Sequence, residues 1–330
     1  MPDQETDPER RFGAIRRLYG AQAAARIHRA HIAVVGIGGV GSWAAEALAR
    51  TGVAQITLID LDHVTESNIN RQIQALTDTV GQAKVLAMRD RIARIHPACK
   101  VACIEDFVAP GNWPGLLPTP VDALIDACDQ VQAKLTMALW ARTAGTWHIT
   151  VGAAGGKRHA HQVEIDDLAR ATHDPLLAQL RQRIRRHHRA QRDDQCLRAQ
   201  CDGQHLRAQR DGQHLRAQRD GQHLRAQRDG QHLRAQRDGQ HLRAQRDGQH
   251  LRTQRDEQHH RAARDGQELG VTSVFSREPV ALPEASCKID SSLNCHGYGS
   301  MVAVTATFGQ CAAGWVLDQL ATGRAAPRCR

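Results

Sequence analysis

The sequence predicts an α/β fold with a doubly wound, mostly parallel sheet. Three observations predict this fold: apolar runs alternate with helical patterns, a glycine loop follows the first apolar run, and an acidic residue ends the second run. Removing a 72-residue repeat from the 330 residues leaves 258, which suits a single domain of this class.

Short apolar runs predict the strands, and segments with a 3.6-residue apolar rhythm predict the helices. The predicted strands are 31–35, 55–60, 100–104, 121–125 and 147–151. The predicted helices are 39–50, 81–95, 130–144 and 175–188. The apolar run from Met301 to Leu317 contains polar residues and is short for a membrane span, so we expect a buried core helix there.

The loop Gly36-Ile37-Gly38-Gly39-Val40-Gly41 predicts a phosphate-binding turn between the first strand and the first helix of the sheet domain. Gly36 permits the tight turn, Gly38 lets the backbone approach a phosphate, and Gly41 lets the helix pack on the strand. Asp60 ends the next strand, where a carboxylate can accept hydrogen bonds from ribose hydroxyls. A nicotinamide-dependent dehydrogenase shows the same pattern, so these residues alone do not identify the nucleotide.

Two cations beyond the ribose acid favour a triphosphate. The negative charge of a triphosphate must be neutralised before a carboxylate can attack its α-phosphorus, and Arg71 and Lys84 stand where they could do this. Lys84 lies near a helix start, one position off the apolar stripe of that helix. Either cation alone is typical of an ordinary surface, whereas the combination favours ATP.

These motifs resemble the ubiquitin-activating-enzyme-like adenylating enzymes, the HesA/MoeB/ThiF family. The resemblance covers residues 10–190 and 268–320. Its motifs occur in the order of the family: the glycine loop, Asp60-x-Asp62, Ser67-Asn68-x-Asn70-Arg71-Gln72, Lys84 and Asp126-Ala127-Cys128-Asp129.

The resemblance implies an adenylate-forming enzyme that uses ATP and Mg²⁺ to join a carboxylate to AMP. It assigns Asp60 to the ribose, and Asn68, Arg71 and Lys84 to the phosphates. Asp129 is the expected magnesium ligand. It also implies a homodimer in which Arg11 reaches the ATP of the partner subunit. The other expected ATP-binding residues are Gly36, Gly38, Gly39, Gly41, Asp62, Gln72 and Asp126.

Within the family, the sequence is most similar to the branch that modifies tRNA. The similarity lies in 36–50, 151–156, 172–177 and 294–309. It implies ATP-dependent cyclisation of threonylcarbamoyladenosine beside the tRNA anticodon, by adenylation of the threonyl carboxylate. The expected partners are tRNA carrying this nucleoside, a second copy of the chain and, by family analogy, sulfur-transfer proteins.

The spacing of the nine cysteines helps to distinguish between the possible functions. Activators of ubiquitin-like sulfur carriers commonly hold zinc with two Cys-x-x-Cys pairs, and no two cysteines here have that spacing, so we expect no structural zinc. Scattered cysteines suit a reducing cytoplasm, which is the expected location.

Cys295 precedes two glycines at a predicted helix start and is a candidate nucleophile, with packing or substrate contact as the alternative. A sulfur-carrier activator, a dehydrogenase and a degenerate binding module remain as other functions.

A tandem repeat of Gln-Arg-Asp-Gly-Gln-His-Leu-Arg-Ala runs through eight copies from Gln191 to Ala262. Neither a helix nor a strand brings its leucines onto one face. Burying one Leu contributes about 1.5–3 kcal/mol, whereas ordering nine residues costs on the order of 9–18 kcal/mol. We therefore expect a disordered insert rather than a β-solenoid.

The repeat carries +5 of the net charge of +9, so the rest of the chain is only modestly basic. That balance suits an RNA substrate without proving one, and the low aromatic content argues against a surface that stacks single-stranded bases. The expected organisation is an N-terminal helical arm (1–30), an ATP-binding α/β domain (31–190), the insert (191–262) and a C-terminal part of the same domain (263–330).

Deletion of residues 191–262 is expected to leave the fold and the ATP site intact. Long surface loops add little closure entropy, about 0.6 kcal/mol for each doubling of length. Thermal unfolding should give a nearly unchanged Tm, and tRNA binding should become less dependent on salt. Aggregation or a much lower Tm would show that the repeat packs against the domain.

Overall fold

The structure is a computed structural model that describes residues 7–191, 268–281 and 298–327. Of the described residues, 7–184, 268–281 and 298–327 belong to one compact unit. Almost all of the repeat, and Cys295, lie outside the described residues. The expectations for the insert and for the candidate nucleophile therefore stay predictions.

The described residues form a mixed set of strands and helices. The strands are β1 (His31–Val35), β2 (Gln55–Ile59), β3 (Lys100–Ile104), β4 (Ala123–Asp126), β5 (Trp147–Val151), β6 (Val163–Asp167) and β7 (Thr272–Ser276). The α-helices are α1 (Pro8–Tyr19), α2 (Ala21–Arg29), α3 (Gly41–Arg50), α4 (Lys84–Ile95), α5 (Val131–Ala144), α6 (175–191) and α7 (Val302–Thr322).

The strands form one sheet in the order β3-β2-β1-β4-β5-β7-β6. Neighbouring strands are parallel except for β6 and β7, which are antiparallel. Val35 pairs with both Ile59 and Asp126, so the carboxyl ends of β1, β2 and β4 lie level with one another. The predicted doubly wound, mostly parallel sheet is confirmed.

Strands β1, β3 and β5 have the predicted bounds. Strand β4 differs, since it begins at Ala123 and includes Asp126, which the sequence analysis placed just past the strand end. The edge strand β6 was missed. Its sequence, Val-Glu-Ile-Asp-Asp, has three acidic residues among five, and an edge strand that is only partly buried needs no continuous apolar run.

Helices cover both faces of the sheet. On one face, strand residues such as Ile32 and Leu58 share a core with side chains of α3, α4 and α7. On the other face, the alternate strand residues, such as Ala33 and Leu124, pack with Ala133 and Met137 of α5. This alternation is expected for strands whose successive side chains point to opposite faces.

Helix α7 is the buried core helix that the sequence predicted, although it extends to Thr322. It approaches α3 closely, because a methyl group at Gly309 would lie 2.3 Å from the Val40 carbonyl oxygen. In the described ranges, no helix combines the length and apolar character needed to cross a bilayer.

The N-terminal helices α1 and α2 form an arm that precedes β1. Asp7 caps α1 by accepting a hydrogen bond from the Glu9 N–H at 2.9 Å. The Tyr19 hydroxyl donates to Asp318 Oδ1 of α7 at 2.7 Å. Burial, followed by this contact, raises the pKa of Tyr19 to about 12. The arm is therefore fixed to the sheet domain through α7.

Candidate nucleotide-binding site

The candidate site lies at the carboxyl ends of β1, β2 and β4. The order of the sheet reverses here, with β2 and β3 on one side of β1, and β4, β5 and β7 on the other. A parallel sheet with such a reversal has a ligand-binding crevice outside the strand ends. The glycine loop leaves β1 at this point, and Asp60 directly follows β2. The structure thus brings the glycine loop and Asp60 together, as the sequence predicted.

The glycine loop is too tight for a side chain at two positions. Gly36 has φ +85°, and a methyl group there would lie 2.8 Å from the Ala127 carbonyl carbon. A methyl group at Gly41 would lie 1.8 Å from the Gly36 carbonyl oxygen. At Gly38, by contrast, a methyl group would meet none of the described atoms within 4 Å. Gly38 therefore borders open space, as expected for a position that a phosphate approaches.

Asp60 holds the glycine loop through backbone contacts. Its Oδ2 accepts a hydrogen bond from the Ile37 N–H at 2.6 Å, and its Oδ1 accepts one from the Asp62 N–H at 2.8 Å. Burial raises the pKa of Asp60, while the nearby Lys84 ammonium acts in the opposite direction. Each carboxylate oxygen has a second lone pair, so Asp60 could also accept hydrogen bonds from ribose hydroxyls.

Lys84 is the first residue of α4 and is 7% exposed. Its Nζ donates to Asp62 Oδ2 at 2.7 Å, and its backbone N–H donates to the Asp62 carbonyl at 2.9 Å. The Asp62 side chain is itself 53% exposed. The structure therefore places Lys84 beside both acids of the motif, with Asp62 as the direct partner of its charge.

Asn68 organises the turn that carries the remaining motif residues. Its side-chain Oδ1 accepts a hydrogen bond from the Thr65 N–H at 3.1 Å. Its carbonyl oxygen accepts hydrogen bonds from the N–H groups of Arg71 at 3.1 Å and Gln72 at 2.9 Å. Asn68 and Gln72 are both buried. The buried turn thus sets the direction in which Arg71 leaves the backbone.

Arg71 lies beside the glycine loop. A methyl group at Gly39 would lie 3.2 Å from Arg71 Cγ and 3.3 Å from Thr305 Cβ on α7. The guanidinium Nη1 donates to the Ser67 carbonyl at 2.6 Å and to Asn70 Oδ1 at 2.9 Å. These contacts use one nitrogen of the guanidinium, which has five N–H donors. Arg71 is therefore close enough to the loop for the predicted phosphate contact.

Two residues of this region, Gln74 and Asn70, make long-range contacts that the sequence did not predict. Gln74 is buried, and its Nε2 donates to the Ile37 carbonyl at 2.9 Å and to the nearby Gln72 Oε1 at 3.1 Å. Asn70 Nδ2 donates to the Ser300 carbonyl at 2.9 Å. The bond to Ile37 supports the glycine loop, and the bond to Ser300 joins the motif to the residues just before α7. Neither of these two bonds has a local sequence signal, since its partners are far apart in the chain.

Asp126 and Asp129 occupy different environments although they belong to one motif. Asp126 is completely buried, and its carboxylate accepts hydrogen bonds from Lys134 Nζ at 3.0 Å and the Thr150 hydroxyl at 2.8 Å. Asp126 does not cap α5, because Gln130 is the N-cap residue of that helix. Direct contact of Asp126 with ATP stays a prediction. Asp129 is exposed beyond the strand end.

Asp129 suits a magnesium ion that is shared with phosphates. The described residues contain no group of three or more His, Cys, Asp or Glu side chains that could hold a metal ion. Magnesium in nucleotide sites is commonly held by one or two carboxylates together with the phosphates. A single exposed carboxylate at the ligand edge meets that requirement once ATP supplies the other oxygens.

Arg11 lies at the far end of α4 from Lys84. Its guanidinium donates to the carbonyl of Ile95, the last residue of that helix. Since α-helices rise 1.5 Å per residue, the two ends of α4 are roughly 16 Å apart. The neighbouring Phe12 fixes this arm by packing edge-on against His96, with ring centroids 4.7 Å apart. Arg11 is therefore separated from the ATP site of its own chain.

The comparison with known families decides the broader assignment. The model of the ThiF family matches residues 13–326, which include the glycine loop, the Asn68 turn and Lys84. The chain belongs to the ThiF family. The resemblance inferred from the motifs is thereby confirmed.

Individual relatives are similar over different shares of the chain. The tRNA threonylcarbamoyladenosine dehydratase of Haemophilus influenzae is 31% identical over 94% of both chains. The Escherichia coli protein of the same name is 48% identical over 53% of this chain and 65% of its own. The Escherichia coli dehydratase TcdA, solved in complex with ATP, has a TM-score of 0.65 and 33% identity, covering 96% of this chain and 95% of its own. A molybdopterin-synthase adenylyltransferase of Escherichia coli is 34% identical over only 31% of this chain.

The two kinds of glycine in the ThiF-family loop should respond differently to substitution. Gly41→Ala is expected to destabilise the fold by about 1–3 kcal/mol, because the added methyl group overlaps the Gly36 carbonyl oxygen. Gly38→Ala is the matched control and should keep the wild-type Tm while losing nucleotide affinity, since its methyl group enters the open space. Thermal unfolding and calorimetric ATP titration measure both effects. Equal stability of the two variants would contradict the loop geometry.

Proposed function

We propose that the chain is an ATP-dependent tRNA threonylcarbamoyladenosine dehydratase, which adenylates the threonyl carboxylate of the modified nucleoside and then cyclises it. The observation that carries the proposal is the similarity over nearly the whole length to the ATP-bound dehydratase structure, combined with a complete set of motif residues at one sheet edge. A dehydrogenase is disfavoured because a second cation, Arg71 beside Gly39, accompanies Lys84, which lies near Asp60.

The chemistry starts from a poor electrophile. Attack of the threonyl carboxylate on the α-phosphorus of ATP would form an acyl adenylate and release pyrophosphate. A neighbouring nitrogen or oxygen of the same group would then close the ring and expel AMP, and proximity within one side chain favours this step. The carboxyl carbon thus stays in the new ring, and the oxygen that is removed from it leaves on AMP.

The motif residues have distinct proposed roles in this reaction. Asp60 would accept hydrogen bonds from the ribose while it holds the Ile37 N–H. Asn68, Arg71 and Lys84 would stabilise negative charge on the phosphates. For Lys84 this means exchanging its half-exposed partner Asp62 for a phosphate oxygen. Asp129 would hold magnesium, which supplies further charge stabilisation when bound.

The nearest alternative is an activator of a ubiquitin-like sulfur carrier. The adenylation chemistry would be the same, but the substrate would be the C-terminal carboxylate of a small protein. The shorter match to the molybdopterin-synthase adenylyltransferase supports this alternative less than the full-length similarity supports a tRNA substrate. Sulfur-transfer proteins remain proposed partners by analogy. The four described cysteines are unpaired, which supports the proposed cytoplasmic location.

Mass spectrometry of tRNA nucleosides tests the substrate. Cells that lack the chain should accumulate threonylcarbamoyladenosine, and cells that express it should contain the cyclised, dehydrated nucleoside. Purified chain, ATP and modified tRNA should reproduce the conversion with one AMP released per nucleoside. Activity toward a carrier protein ending in Gly-Gly, without any change in tRNA, would favour the alternative.

Nucleotide choice is a separate prediction. The chain should bind ATP with magnesium and show no useful affinity for NAD, because Arg71 beside Gly39 and Lys84 near Asp60 would neutralise the charge of a triphosphate. Arg71→Ala should lose most activity and much of the ATP affinity with an unchanged Tm. Arg94→Ala, an exposed arginine on α4, is the matched control and should behave as the wild type. Calorimetry that shows tight NAD binding and no ATP binding would overturn the assignment.

Assembly is tested by mixing inactive chains. We propose a homodimer in which Arg11 acts on the ATP of the partner subunit, since α4 separates it from its own site. Arg11→Ala and Lys84→Ala chains should therefore regain activity when mixed, because each heterodimer keeps one complete site. A mixture of Arg71→Ala and Lys84→Ala chains should stay inactive, since every site then lacks one residue. Absence of recovery after confirmed subunit exchange would argue against a role for Arg11 across the dimer.

A further inference from the structure

Lys134 is a buried cation that no motif of the nucleotide site includes. It lies on α5 with no exposed surface, and its ammonium group is held between the ends of β4 and β5. Nζ lies 3.0 Å from Asp126 Oδ1, 3.2 Å from the Asp126 carbonyl oxygen, 3.2 Å from Thr150 Oγ1 and 2.8 Å from the Val151 carbonyl oxygen. A buried ammonium group needs such partners because its removal from water is costly.

The partner carboxylate connects Lys134 to the glycine loop. Asp126 Oδ1 accepts a hydrogen bond from the Cys128 N–H at 3.3 Å, and Oδ2 accepts one from the Thr150 hydroxyl at 2.8 Å. The peptide between Ala127 and Cys128 is the surface against which Gly36 lies, with no room for a methyl group. The position of the Asp126 carboxylate therefore sets the position of this turn, and the turn contacts the glycine loop at Gly36.

His148 on β5 is a second basic group beside the same carboxylate. Its Nε2 lies 4.0 Å from Asp126 Oδ2, is buried, and has no hydrogen-bond partner in the described part of the chain. Burial lowers the pKa of His148 to about 4, Asp126 acts to raise it, and Lys134 acts to lower it. The adjacent Cys128 thiol stays neutral, because burial and Asp126 raise its pKa well above the usual value. Lys134 is thus the cation that balances Asp126 at neutral pH.

We propose that Lys134 is a positioning residue for the nucleotide: by fixing the Asp126 carboxylate, it holds the 127–128 turn against Gly36 and keeps the glycine loop in its binding shape. This inference rests on the proposed ATP site and extends it to a residue in contact with neither ATP nor tRNA. His148 also has a role in this inference. When Lys134 is replaced, a protonated His148 imidazole lies close enough to Asp126 to take over the lysine charge.

The test uses the full chain with AMP as the calorimetric probe. Lys134→Met keeps the length of the side chain but removes its charge, and it should weaken AMP binding roughly ten- to hundredfold at about pH 8 through displacement of the loop. At about pH 5.5, binding should recover severalfold, because loss of the Lys134 charge raises the pKa of His148 and lets it take up a proton beside Asp126.

The matched controls separate positioning from packing. The double variant Lys134→Met/His148→Gln should lose AMP affinity without recovery at low pH. His148→Gln alone should bind AMP as the wild type does at both pH values, because the imidazole Nε2 makes no hydrogen bond. If Lys134→Met fails to fold, Thr150→Val replaces it, since that change removes the hydroxyl that donates to Asp126 and should weaken AMP binding severalfold.

Three results would overturn the inference. The first is wild-type AMP affinity in folded Lys134→Met at about pH 8, or in Thr150→Val where it is used instead. The second is a loss that is the same at both pH values and in the double variant, which would assign Lys134 a packing role only. The third is a wild-type chain that binds neither AMP nor ATP, which removes the proposed function itself and is recognised before any variant is measured.

Discussion

The ion pair between Lys134 and Asp126 is the constraint on which the candidate site depends. Both charges are completely buried, and loss of one partner from such a pair typically costs about 3–5 kcal/mol because the other charge is left unbalanced in the core. The pair joins α5 to the ends of two parallel strands at the same level as the glycine loop. The ion pair fixes the position of these groups rather than adding stability to the fold, because well-packed apolar residues of similar volume are often equally stabilising in such places.

Both cations of the candidate site have hydrogen-bond partners within the chain, and that of Lys84 is an acid. Lys84 is paired with Asp62, and Arg71 donates to the Ser67 carbonyl and to Asn70. These contacts hold both cations in defined positions, which lowers the entropy that binding must remove. In the proposed exchange of Asp62 for a phosphate, the half-exposed Asp62 would return to water. Lys84 is buried, so solvent would weaken its attraction for that phosphate only a little.

The sequence predicted the parts of the site whose causes are local. The glycine loop is recognisable because Gly36 and Gly41 have no room for a methyl group, and both are required within one short turn. Strands β1 and β3 were predicted because each contains four consecutive apolar residues, Ile32–Val35 and Val101–Ile104. The edge strand β6 lacks such a run, and it was missed for that reason.

Contacts between distant segments could not be predicted in the same way. Lys134 appeared only as part of a helical segment, because nothing in its neighbourhood shows that its charge is buried beside Asp126. The hydrogen bond from Asn70 to the Ser300 carbonyl joins residues 230 positions apart. Gln74, two residues past the motif, supports the Ile37 carbonyl only because the chain folds back on the loop. Each of these depends on the sheet order rather than on a local pattern.

The motif from Asp126 to Asp129 holds two acids in different environments, one buried and one exposed. Asp126 ends β4, so the pleat of the strand directs it into the core beside Lys134, whereas Asp129 follows the turn and is exposed at the ligand edge. Substitution of Asp126 removes the balance of a buried charge and disturbs the loop from within. Substitution of Asp129 removes only an exposed carboxylate and leaves the loop in place. The proposed roles of the two acids are therefore tested by different measurements, stability and AMP affinity for Asp126 and magnesium dependence for Asp129.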